Sequence, residues 1–197
     1  IAQHGLARNH LTNPAQLYDG RSNPQGYEFG NRVQLQALQA ALAQTNLTAA
    51  PLEEASFYDI EAAVKRAIEA FDSWSRTSAD QRAKIVERMA DLLETHKAQA
   101  IKWCMTEGHK TIADAVAEWR ESVDFCRYYA QQARLLFGVD QVMQGPTGEH
   151  NILRLRARGV FVCISPWNFP LAICLGQITA GLAAGNCVIA KPAEQTP

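Results

Sequence analysis

A single asparagine, Asn168, stands between two aromatic residues and two prolines in the run Pro166-Trp167-Asn168-Phe169-Pro170, and Lys191 and Glu194 follow it in "AKPAEQTP". A carboxamide, an ammonium and a carboxylate on separate segments are the materials of a polar binding site. Proline fixes its own φ and restricts the residue before it, so an amide held between two prolines is a preorganised donor. A developing oxyanion needs such a donor, and losing one costs on the order of 3 kcal/mol of transition-state stabilisation. Each residue also has a plainer use. Asparagine satisfies turns, Lys191 can be an exposed strand end, and Glu194 can complement the dipole in the first turn of a following helix. Spacing alone leaves both readings open.

Other chemistry is easier to exclude. The cysteines, at 104, 126, 163, 174 and 187, form an odd set with no C-x-x-C pair, and no histidine stands at zinc-ligand spacing, so reduced thiols and no metal are expected. Cys163, Cys174 and Cys187 fall in buried-looking elements and Cys104 and Cys126 on or near apolar helix stripes. None has a neighbouring base or a turn that would expose a thiolate, so packing is their expected role. The histidines at 4, 10, 96, 109 and 150 are scattered and receive no chemistry. No G-x-G-x-x-G or Walker-type loop occurs, and a dinucleotide site here has to be built without the glycine cradle.

Three elements must position the polar residues. "VFVCI" (160–164) is continuous and β-branched, which predicts a strand covered on both faces. Pro170 suits the first turn of a helix over 171–184 that is apolar nearly all round and so predicted buried. Gly185 ends it, and "CVIAK" (187–191) reads as a second buried strand. Strand, helix and strand in so short a span predict a right-handed βαβ unit with parallel strands. Parallel strands end at one edge of the sheet, where open α/β folds bind ligands, so Asn168 and Lys191 should meet at one crevice.

The upstream chain is mostly helical by pattern. Asn-Pro, Asp-Gly, Asn-Pro-Gln-Gly and Phe-Gly-Asn interrupt residues 1–50, which read as a connector or arm with a short helix near Val33–Ala43. Ile60, Val64, Ala67, Ile68 and Phe71 define an amphipathic helix over 59–71. Ser78 with Gln81 makes a capping box that opens a second helix, continuing through Ile101 to Cys104 and stopped by a left-handed Gly108. Thr111 with Asp114 caps a third, running to about Phe137 and closed by Gly138. In "ILRLRAR" (152–158) Leu153, Leu155 and Ala157 alternate with Arg154, Arg156 and Arg158, which predicts a strand with one solvated face. The domain reading is therefore 1–50 connector, 51–150 helical layer, and 151–197 a strand plus the opening βαβ of an incomplete Rossmann-like parallel sheet, an α/β chain overall.

The 197 residues are 47% hydrophobic and carry 19 basic against 20 acidic residues, a net charge of -1 that draws the chain to neither nucleic acid nor an anionic membrane. The apolar runs fall far short of the roughly 20 residues that span a bilayer, and the N-terminus lacks a signal pattern. A soluble, cytoplasmic protein is expected.

At "ISPWNFPLA", "AAGNCVIAKPAEQTP", "AFDSW…QRAKIVERMADLLE" and "VAEWRESVDFCRYYA" the sequence resembles the aldehyde dehydrogenase superfamily. It is most similar to the L-glutamate γ-semialdehyde (Δ1-pyrroline-5-carboxylate) dehydrogenase module of bifunctional proline utilization A, whose connector "LYDGRSNPQGYEFGN" resembles. The resemblance covers most of the chain from about residue 17 onward. It implies NAD-dependent oxidation of a small aldehyde in proline catabolism: a cysteine thiolate adds to the aldehyde, hydride passes to the nicotinamide, and water releases the acid. By the same resemblance Asn168 is the oxyanion donor, Ile164, Ser165, Pro166 and Trp167 line the cofactor crevice, and Lys191 and Glu194 bind the adenosine ribose hydroxyls, with Glu194 disfavouring NADP. FAD would belong only to an upstream proline dehydrogenase domain, not to this chain.

Two departures stand out. The family commonly has Glu-x-Gly-Lys where this chain has Glu107-Gly108-His109-Lys110, and the family's nucleophilic cysteine and general-base glutamate lie beyond the point matching Pro197. The piece by itself is expected to be catalytically silent and to bind NAD weakly or not at all. Two rivals remain open: a helical self-association module, with exposed strand edges pairing between copies, and another aldehyde dehydrogenase subfamily.

Overall fold

In the computed structural model, residues 17–18, 20–48 and 52–197 are described; the first 16 residues of the expected arm lie outside them. Six helices and four short strands follow in the order α1 (Arg32–Gln44), α2 (Phe57–Arg76), α3 (Ala79–Thr95), α4 (Lys97–Thr106), α5 (Ile112–Phe137), β1 (Gln141–Met143), β2 (Asn151–Leu153), β3 (Val160–Ile164), α6 (Ala172–Ala183) and β4 (Cys187–Lys191). Local chemistry explains most helix starts. Asn31 accepts from the Val33 and Gln34 amides, Ser56 and Ser78 form capping boxes with Asp59 and Gln81, and Thr111 accepts from the Asp114 amide.

The second helix predicted from the pattern is two helices. At His96 the backbone leaves the helical region (φ -100, ψ 23), and the Leu93 carbonyl accepts the Trp119 indole N–H at 2.9 Å. A side chain bonded to a carbonyl of the last turn accompanies the break between α3 and α4.

The core lies between α3, α4, α5 and α6, with Leu38 and Leu42 of α1 closing one side. Trp119, Val123, Cys126 and Ala130 form the inner stripe of α5 at the predicted spacing and are fully buried. Arg134 of α5 joins α3 through a bidentate pair with Glu87, at 2.5 and 2.8 Å, and a contact with Asp80 at 2.9 Å. Small residues on α6 allow it close to α5: a Cβ at Gly176 would stand 3.1 Å from the Phe125 ring.

β3 and β4 pair in parallel, with Val160 opposite Cys187 and Ile164 opposite Lys191, which is the βαβ unit the sequence predicts. Its start is stapled by Asn186, whose side-chain oxygen accepts the Arg158 and Gly159 amides at 2.6 and 3.1 Å. β3 is not covered on both faces, however. Phe161, Val162 and Ile164 are 47, 61 and 64% exposed, so among the described residues no packed layer covers both faces of the two-stranded β3–β4 sheet.

The alternating segment 152–158 also differs from its reading. Regular strand stops at Leu153, pairs with a β1 that the pattern did not reveal, and leaves Leu153 and Leu155 as open as the arginines. A two-stranded hairpin with nothing stacked on it has no dry face to enforce the period. Among the described residues no helix is long and apolar enough to cross a membrane.

Candidate functional site

The register of the parallel pair brings Ile164 and Lys191 level, and the Ser165 N–H donates to the Lys191 carbonyl at 3.1 Å, so both strands end at one edge. Residues 166–170 form the turn that leaves β3 there. Asn168 and Trp167 are exposed on it, and no described residue hydrogen-bonds to the Asn168 carboxamide. Asn168 faces a cleft of about 460 Å³ shared with His109, Lys110, Asp114 and Glu121.

Lys191 and Glu194 lie exposed at the same sheet edge and their side chains pair with no described residue, but neither lines that cleft. Glu194 does not open a helix. It sits in a turn closed by the Thr196 N–H on the Ala193 carbonyl at 3.1 Å. Ser165 is 5% exposed, and its hydroxyl oxygen has no hydrogen-bond partner among the described residues. A buried hydroxyl left unpaired costs about 1–3 kcal/mol.

The helix behind the turn, α6, carries no side-chain cap of its own, and Pro170 supplies no N–H. Its free amides are met from another helix. Glu118 on α5, 1% exposed, accepts the Leu171 N–H at 2.8 Å and the Ala172 N–H at 3.2 Å through Oε1. Its Oε2 makes no directed hydrogen bond and faces the Lys110 ammonium at 2.6 Å. Carboxylate, helix dipole and ammonium thus compensate one another out of water. Lys110 Nζ also lies 4.0 Å from the centre of the Phe169 ring.

The far end of α6 is met in the same way. The Trp74 indole donates to the Leu182 carbonyl at 3.2 Å, and Arg82 donates to the Ala183 carbonyl at 3.0 Å and to Thr77. Burial lowers the Arg82 pKa from its ordinary value, and the carbonyl end of the α6 dipole favours the cation there.

Sequence reasoning missed Glu118. Its one local signal is an acid among the apolar positions Val116, Trp119 and Val123.

The Glu107–Lys110 turn corrects another expectation. Gly108 is not the left-handed residue; His109 is, with φ 50. Gly108 is required for space, since a Cβ there would stand 2.7 Å from the Cys104 carbonyl oxygen. That carbonyl accepts the Lys110 N–H at 3.4 Å, which closes the turn and aims Lys110 at Glu118.

Four of the five thiols are disfavoured as thiolates. Burial pushes Cys104 and Cys126 up to about 12, and raises Cys163 and Cys187 as well. Among the described residues no cluster of His, Cys, Asp and Glu could hold a metal ion.

Residues 34–197 match the aldehyde dehydrogenase family. The chain belongs to that family. It is 37% identical over 225 aligned residues to the bifunctional protein PutA of Escherichia coli, covering 99% of this chain and 16% of that protein. A crystal structure of bifunctional proline utilization A (PutA) superposes with a TM-score of 0.89 at 51% identity, over 93% of this chain and 19% of that one. A 1-pyrroline-5-carboxylate dehydrogenase from Thermus, solved with bound NAD, superposes with a TM-score of 0.78 at 26% identity, over 91% of this chain and 41% of that one. The chain therefore spans about one sixth of the length of the PutA relative. Its helices and βαβ unit are those of an aldehyde dehydrogenase-like segment of PutA, as the resemblance implied.

Proposed function

We propose that the chain forms part of an NAD-dependent dehydrogenase that oxidises L-glutamate γ-semialdehyde to glutamate in proline catabolism, in an enzyme of the PutA kind. The observation that carries this reading is the unspent carboxamide of Asn168. Glu118 and the Ser165–Lys191 bond hold the turn, so the asparagine is not consumed in closing it. An exposed amide donor on a pinned turn beside a cleft suits stabilisation of an oxyanion.

In this reading Asn168 donates to the aldehyde oxygen as a thiolate adds to the carbonyl carbon and negative charge moves onto that oxygen. Burial raises the Cys104, Cys126, Cys163 and Cys187 thiols, and in this reading the attacking thiolate is the family's nucleophilic cysteine, which by the resemblance lies beyond the point matching Pro197. Ile164, Ser165, Pro166 and Trp167 line the cofactor crevice, while Lys191 and Glu194 hydrogen-bond the adenosine ribose hydroxyls. The residues fit such a ligand: Ser165 keeps an unpaired buried hydroxyl at the edge, and Lys191 and Glu194 are exposed there without partners among the described residues. NAD, when bound, supplies the hydride acceptor. The Glu194 carboxylate repels the 2′-phosphate of NADP.

A homo-oligomeric enzyme in the cytoplasm is the setting we propose. Exposed Ile60, Ile68, Val162 and Ile164 support self-association of the chain on its own.

The test is NADH formation from glutamate γ-semialdehyde by the full-length enzyme, with NAD and NADP compared. Glu194→Gln should reduce the preference for NAD roughly tenfold, equivalent to about 1.4 kcal/mol. No turnover of the semialdehyde would remove the substrate assignment, and an unchanged cofactor ratio would remove the role of Glu194.

A further inference from the structure

We infer that Lys110 and Glu118 are positioning residues for the Asn168 donor, fixing the backbone from which its carboxamide is presented; this rests on the oxyanion reading of Asn168. The turn after β3 is anchored at one end by the Ser165 N–H on Lys191, at 3.1 Å, and at the other by Glu118 Oε1, which takes the Leu171 and Ala172 amides at 2.8 and 3.2 Å. Only residues 166–170 lie between the anchors, and two of these are prolines. Neither anchor uses the Asn168 side chain, so the backbone is fixed while the donor stays free.

Lys110 completes the arrangement. Its ammonium is 2.6 Å from Glu118 Oε2 and 4.0 Å from the Phe169 ring centre, so one cation touches both the cap and the residue next to Asn168. The two side chains are 11% exposed for Lys110 and 0% for Glu118, which keeps Glu118 from substrate and leaves it to act through backbone amides. Glu118 also stands 53 positions from Leu171. The bond therefore ties the α5 wall of the cleft to the turn that carries the donor, and a shift of either moves the amide relative to the substrate. A misplacement of about 1 Å in such a site costs on the order of 100-fold in rate.

A double-mutant cycle on the full-length dehydrogenase tests this. Asn168→Ala alone should lower kcat by about 100-fold or more. Glu118→Ala should lower kcat by at least about tenfold, with a smaller rise in KM for NAD, because of the residues assigned to the cofactor only Pro166 and Trp167 lie on the turn that moves, while Ile164, Ser165, Lys191 and Glu194 do not. In the Glu118→Ala background, Asn168→Ala should then cost less than about tenfold, since the donor is already misplaced. Equal factors for Asn168→Ala in both backgrounds would show Glu118 to be structural only and overturn the inference. If Glu118→Ala does not fold, the cycle with Lys110→Met decides by the same criterion. An unchanged kcat for Asn168→Ala alone removes the oxyanion reading and this inference with it, a result distinct from independent losses.

Discussion

Gly108 and His109 are adjacent residues of one tight turn with opposite tolerances. His109 holds a left-handed backbone that costs an L-residue roughly 1–2 kcal/mol, whereas Gly108 has ordinary φ but no room for a Cβ beside the Cys104 carbonyl. His109→Gly should therefore stabilise the chain, by about 0.5–1 kcal/mol after glycine's larger unfolded-state entropy is subtracted. Gly108→Ala should destabilise it by at least about 1 kcal/mol. Urea midpoints of the two variants check both signs together; a shift of both in one direction would contradict the geometry. At this scale the sequence shows residues that act locally or at strand ends: the Ser78 and Thr111 caps, and the shared edge where the turn bearing Asn168 and Lys191 leave their strands, although Lys191 does not line the Asn168 cleft. Glu118 was not legible, because a cap reaching 53 positions along the chain leaves no local pattern. The left-handed residue was misplaced by one, because glycine's freedom and glycine's small size give the same letter.

Among the elements, α2 and the β1–β2 hairpin show where periodicity is a partial guide. The apolar positions of α2 were read correctly, yet Ile60 and Ile68 are 54 and 61% exposed and no residue of the helix is buried. Periodicity reports that a face is apolar, not that something covers it. The hairpin escaped because three-residue strands carry too little pattern, and because its ladder is helped by an ion pair, Arg154 with Asp140, that spans 14 positions. That pair holds the Asp140 pKa below its ordinary 3.8, chiefly through the Arg154 hydrogen bond. A depressed carboxylate contributes its stability above the unfolded pKa and loses it as pH falls through the folded one. Hairpin chemical shifts at residues 141–143 and 151–153 should thus be constant above about pH 5 and move toward coil values well below 3.8. Shifts that stay fixed through that acid range would show the pair to be idle. For the α3 capping box, Ser78→Ala should cost about 1 kcal/mol by denaturant unfolding.

For the whole molecule, helical pattern and the βαβ unit were readable, as was the family, since "SPWNFP" and "KPAEQTP" fall where the two strands end. Coverage was not readable. The β3 face was expected to be dry and is open, because local sequence specifies a strand's character but not its neighbours. Open faces on β3 and α2 predict that the chain alone sediments as dimers or larger species at tens of micromolar, and that Ile68→Lys shifts it toward monomer. A monomer at those concentrations would contradict this. The central claim is that Asn168, on a turn held by other residues, donates to the oxyanion during aldehyde oxidation. Its most direct test is kcat of Asn168→Ala in the full-length enzyme with NAD and glutamate γ-semialdehyde. A fall of about 100-fold or more, with KM for NAD within about a factor of two, is predicted; an unchanged kcat would contradict it.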